Sequence, residues 1–63
     1  MSMLKLYKIT MNPPKCKKSF DVAGMQNIGL ISAGYMMDCL KANHPDCTYS
    51  LVDKTTGKVV YMI

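Results

Sequence analysis

Cys16, Cys39, Cys47 and His44 are the only thiols and the only imidazole with which this chain could hold a soft metal or attack a substrate. Three of them run as C-x4-H-x2-C from Cys39 to Cys47, so a zinc site would need Cys16 as its fourth ligand. Cys16 belongs to a different part of the chain. If residues 27 to 43 are helical, Cys39 lies roughly 18 Å along the axis from Asn27, and the loop bearing Cys16 would have to fold back over that distance. The thiols are better read as small apolar fillers, and neither a metal nor a cofactor is expected. Covalent catalysis fares no better, because His44 is the lone imidazole base, the chain has no Glu, and Asp38 is the single acid in the central apolar segment. Neither a triad nor a carboxylate pair can be assembled, so the chain is expected not to be an enzyme.

A second chemistry open to these residues is phosphate binding. Lys15, Lys17 and Lys18, with Lys5 and Lys8 nearby, could neutralise a nucleic-acid backbone while Tyr7, Tyr49 or Tyr61 stacked on bases. The net charge of +4 permits it. Every basic residue is Lys, however, and without the bidentate fork of Arg such binding would carry little sequence specificity. A solvated loop that keeps an apolar protein in solution explains the same lysines more simply, so nucleic-acid binding is the alternative.

These groups must be positioned by a small scaffold. Sixty-three residues amount to one domain, 1–63, and a chain this short buries only about 60% of its unfolded surface. It is 49% hydrophobic and 19% charged, too apolar for disorder and too interrupted for a membrane span. The opening MSMLKLYKIT has no apolar core of a secretory signal, and three cysteines are an odd number, one of them in the central segment. Reduced thiols in the cytoplasm are expected.

The central element is the stretch from Asn27 to Asn43, expected to be a helix capped by Asn27 and stopped before Pro45. An earlier start, at Ser19 or Asp21, would place Gly24 and Gly29 inside a helix at about 1 kcal/mol each. At about 100° per residue, Ile28, Ile31, Tyr35, Cys39 and Ala42 form one stripe, and Leu30, Ala33, Met37 and Leu40, with Met36 beside them, form the opposite one. Leu4 to Met11 reads as a strand ended by Asn12-Pro13-Pro14, with Tyr7, Ile9 and Met11 on one face. Ser19 to Val22 reads as a short second strand. CTYSLVD and KVVYMI flank Lys54-Thr55-Thr56-Gly57, the signature of a hairpin with Gly57 left-handed in a G1 bulge. That turn would pair Asp53 with Val59, Leu51 with Tyr61 and Tyr49 with Ile63, presenting Tyr49, Leu51, Val59, Tyr61 and Ile63 to the helix. The expected fold is α+β, a ββαββ or βαββ chain in which one helix crosses an antiparallel sheet of three to four strands.

The order of elements, with Tyr7 in a first strand, Phe20-Asp21-Val22 leading to the helix, and Leu51-Val52-Asp53 followed by Thr56-Gly57-Lys58-Val59-Val60-Tyr61, resembles that of many small phage-encoded accessory proteins. Some of these inhibit host enzymes by docking on them. The resemblance implies a phage origin, and so the host cytoplasm, but no target.

A helix with two apolar stripes needs two partners, and one small sheet covers only one side. The expected interface is therefore the second stripe, Leu30, Met36, Met37 and Leu40, together with Val52, Val60 and Met62 on the reverse of the sheet, beside Leu4 or Leu6. Seven Met residues suit such soft contacts. The functional expectation is a non-enzymatic protein-binding module, homodimeric, that docks on another, unidentified protein and inhibits or adapts it.

Overall fold

The computed structural model describes residues 5–63, so Leu4, expected at the start of the first strand, lies outside the described residues. The elements are β1 (Tyr7–Asn12), β2 (Phe20–Asp21), α1 (Leu30–Asn43), β3 (Thr48–Asp53) and β4 (Val59–Met62). This is the ββαββ form of the expected α+β fold. All strand pairs are antiparallel, in the order β2-β1-β3-β4, and α1 packs over β1 and β3.

Pro13 and Pro14 end β1 by removing two backbone donors. The chain reverses through Pro13 to Cys16, where the Cys16 N–H donates to the Pro13 carbonyl at 3.3 Å and Lys15 takes a left-handed φ of 65°. β2 is only two residues long, yet the chain keeps running beside β1. The Val22 N–H donates to the Ile9 carbonyl at 3.0 Å, Gly24 turns the backbone at φ 78°, and the Ile9 N–H donates to the Met25 carbonyl at 3.0 Å. Tyr7 and Ile28 then exchange two hydrogen bonds of 2.8 and 3.0 Å.

That last pair moves the helix start. Ile28 is extended against β1, so α1 begins at Leu30 with Gly29 as its N-cap, and no side chain caps it. Asn27, expected as the cap, instead accepts a hydrogen bond from the Lys54 Nζ. Two reciprocal backbone hydrogen bonds outweigh one cap, which is worth about 1 kcal/mol. The other end falls where Pro45 requires it. The His44 N–H closes the helix on the Leu40 carbonyl at 2.9 Å, and the Lys41 Nζ ties the last turn to the Cys47 carbonyl at 2.8 Å.

The β3–β4 turn follows its sequence signature. Gly57 has φ 74°, its N–H donates to the Asp53 carbonyl at 2.7 Å, and the Asp53 N–H donates to the Lys58 carbonyl at 2.9 Å. The buried Asp53 carboxylate accepts from the Thr55 N–H at 2.8 Å and lies 3.8 Å from the Lys5 ammonium. Leu51 faces Tyr61, and Tyr49 exchanges two hydrogen bonds with Ile63, as the turn predicts. Val59, however, stands opposite Val52 rather than Asp53. An extra residue, Val60, bulges β4 between the two pairings, and it turns Val59 away from the helix face.

The core consists of Tyr7 and Ile9 from β1, Ile28 just ahead of the helix, Ala33 and Met37 from α1, and Cys47, Tyr49 and Leu51 at β3. Met36 and Leu40 pack against its margin. The helix therefore turns most of the stripe expected to face a partner toward the sheet, leaving only its first residue, Leu30, exposed, and exposes the other stripe. Once Ile28 is drawn into the sheet, the stripe it headed still carries Ile31 and Tyr35 beside the small Cys39 and Ala42, so side-chain size alone does not set which stripe faces the sheet. The buried face combines the small Ala33, which lets the helix approach the sheet closely, with the adaptable side chains of Met36, Met37 and Leu40.

Candidate functional site

Because α1 is as wide as two strands, the outer strands extend past it. β4 has no helix contact and pairs on one side only, leaving Val59, Val60, Tyr61 and Met62 between 51% and 58% exposed. Tyr61 is on the helix side, as the register requires, but it is not in the core. Phe20, at the opposite edge, is likewise exposed. A four-residue edge strand without Lys, Pro or an acid presents unpaired backbone groups between apolar side chains, the surface that most readily takes up another strand.

The second exposed surface is the outer face of α1. Ile31 is 81% exposed and Tyr35 73%, the two barest large apolar residues among those described. With Leu30, Gly34 and Asp38 they line a shallow depression of about 310 Å³.

The expected interface residues separate accordingly. Leu30 is exposed and borders the depression, and Val60 and Met62 are exposed on β4. Met36 and Leu40 are half-buried at the core margin. Met37 is fully buried over the sheet and Val52 is buried within it, so neither belongs to a free surface. Phe20, Ile31, Tyr35, Val59 and Tyr61 are the exposed large apolar residues, among those described, that the sequence did not assign to a protein interface. The sequence carries no signal for the helix pair or for Val59: Ile31 and Tyr35 lie on a stripe as apolar as the buried one, and nothing marks the bulge that redirects Val59.

Lys15, Lys17 and Lys18 are all exposed on the β1–β2 connection, and none forms an ion pair among the described residues. Lys8 does, with Asp21 at 3.1 Å, and Lys5 with Asp53. Of the tyrosines proposed for stacking, Tyr7 and Tyr49 are core residues, and Tyr61 sits on the edge strand farthest from the lysines. Cys39 and His44 are exposed, Cys16 is half-buried and Cys47 is buried. Among the described residues no three His, Cys, Asp or Glu side chains come together as a metal site.

Among the described residues, Tyr49 carries the one buried side-chain nitrogen or oxygen left unpaired. Its hydroxyl is buried without a hydrogen-bond partner, and burial pushes the phenol above its ordinary value of 10.0, with the Cys47 thiol and then Asp46 adding to the rise.

Comparison with family models, curated proteins and solved structures found no match to the chain. No helix among the described residues is long and apolar enough to cross a membrane.

Proposed function

We propose that the protein is a small non-enzymatic binding module, homodimeric, that docks on another protein and thereby inhibits or adapts it. One observation carries the reading: β4 offers four consecutive apolar residues, each about half exposed, along an unpaired sheet edge. Covering the exposed half of each such side chain contributes roughly half of the about 1.5–3 kcal/mol that full burial is worth, before the cost of association. The bulge at Val60 makes the edge irregular, which suits a short matching segment and opposes open-ended stacking of sheets. The resemblance in element order to phage accessory proteins is compatible with such a role.

The test is capture from a lysate of the cell that carries the gene, using the immobilised chain and its Val60→Lys, Tyr61→Lys and Lys18→Asp variants. The reading expects a protein retained by the parent chain and by Lys18→Asp but lost from both β4 variants. If nothing retained depends on β4, the reading fails. A second reading, phosphate contact through the loop, is favoured only by the three exposed lysines, which have no ion-pair partner among the described residues.

A further inference from the structure

The outer face of α1 is a heptad-like seam. Ile31, Tyr35, Asp38 and Ala42 follow one another at spacings of four, three and four, all exposed, on the side away from the sheet. Such spacing keeps a straight row of side chains turned toward one neighbouring helix. The row is also self-complementary when read backwards. Placed against an antiparallel copy, with a two-fold axis level with Met36 and Met37, Ile31 falls opposite Ala42 and Tyr35 opposite Asp38, each pair occurring twice. One pair matches a large apolar side chain to a small one. The other matches a phenol that can donate a hydrogen bond to a carboxylate that can accept it, a charge-assisted contact stronger than a neutral one.

Gly34 supports the same arrangement. It costs about 1 kcal/mol relative to Ala in the interior of a helix, and neither of the usual reasons for it holds in this fold, since its φ is not positive and a Cβ there would meet nothing within 4 Å. It borders Tyr35 and the depression, where a missing side chain allows a second helix to come close. No cation lies on the seam, Lys41 being engaged with the Cys47 carbonyl; the charge the seam carries is Asp38 of each copy, and each carboxylate is met by the Tyr35 phenol of the other.

We infer that α1 makes the self-contact of the homodimer: a second copy of the chain packs antiparallel on its outer face, Ile31 over Ala42 and Tyr35 on Asp38, leaving β4 free for the other protein. The inference rests on the docking reading for its dimer, and it deepens that reading by naming the contact. Two helices about 21 Å long bury less than a standard interface, so the dimer forms reversibly with concentration.

Sedimentation of the full chain from about 1 μM to about 1 mM spans the relevant range of affinity. The parent chain is expected to pass from monomer to dimer. Tyr35→Glu, which sets a carboxylate against Asp38 of the second copy, and Asp38→Lys, which removes the acceptor, are each expected to weaken self-association by about tenfold or more while circular dichroism stays unchanged. An equimolar mixture of the two variants should regain it, since the carboxylate introduced in one chain then meets the ammonium introduced in the other, and the remaining Tyr35 meets the remaining Asp38. Val60→Lys should leave the dimer unaffected. A chain monomeric throughout, a mixture no tighter than its components, or a dimer lost in Val60→Lys each overturns the inference. None of these results bears on whether β4 captures another protein, so the two readings fail separately.

Discussion

Tyr49 supplies the sharpest test of the packing. Its ring is fully buried on the strand that pairs with β1, and its hydroxyl lacks a hydrogen-bond partner. Transferring a hydroxyl from water without replacing its hydrogen bond costs about 1–3 kcal/mol. Tyr49→Phe keeps the ring and removes the cost, so the variant should be more stable than the parent by about 1 kcal/mol, or about 4–8 °C in Tm for a domain of this size. Urea unfolding followed by far-ultraviolet circular dichroism measures this, the chain having no Trp to report by fluorescence. A pH series adds a second signature. The folded phenol titrates above 10.0 and the unfolded one near it, so between those values the unfolded state has lost a proton that the folded state retains. Parent stability must therefore fall as pH rises through 10, and the advantage of Tyr49→Phe must widen there. If Tyr49→Phe is less stable at neutral pH, the hydroxyl has a partner and the account of the core is wrong at its centre.

Helix orientation is checked by a contrast: Met37→Ala should cost about 2–5 kcal/mol, as deletion of a fully buried side chain does, whereas Tyr61→Ala on the exposed edge should cost much less. Equal effects in urea unfolding would mean that the helix presents another face to the sheet. Lys15 adopts a left-handed φ that favours Gly, so Lys15→Gly should raise the urea midpoint by an amount equivalent to about 0.5–1 kcal/mol, and a drop would show that the turn is not formed as described. The loop reading requires that any DNA binding, followed by fluorescence anisotropy, weaken steeply between about 50 and 200 mM salt and disappear in a Lys15→Ser, Lys17→Ser, Lys18→Ser chain. Absence of binding at low salt removes it.

The local elements were legible in the residues because local rules governed them. Pro13 and Pro14 ended β1, Pro45 ended α1, and Gly57 fixed a turn that in turn set Leu51 against Tyr61 and Tyr49 against Ile63. Together these suffice for an antiparallel sheet of three or four strands with one helix across it, while the second strand, β2, was decided only in the fold. The assignment of faces was not legible. Both helix stripes are apolar, and the choice between them fell to Ile28, whose backbone found partners in Tyr7, and to the small Ala33, which lets the helix approach the sheet beside Met37. The exposure of β4 also lay beyond the sequence, because alternation reports which face of a strand a residue occupies but not whether a helix extends far enough to cover it. Turns and element ends depend on neighbours in the chain and can be read from it, whereas burial depends on what arrives from elsewhere, and for this protein that decided which side chains remain free for a partner.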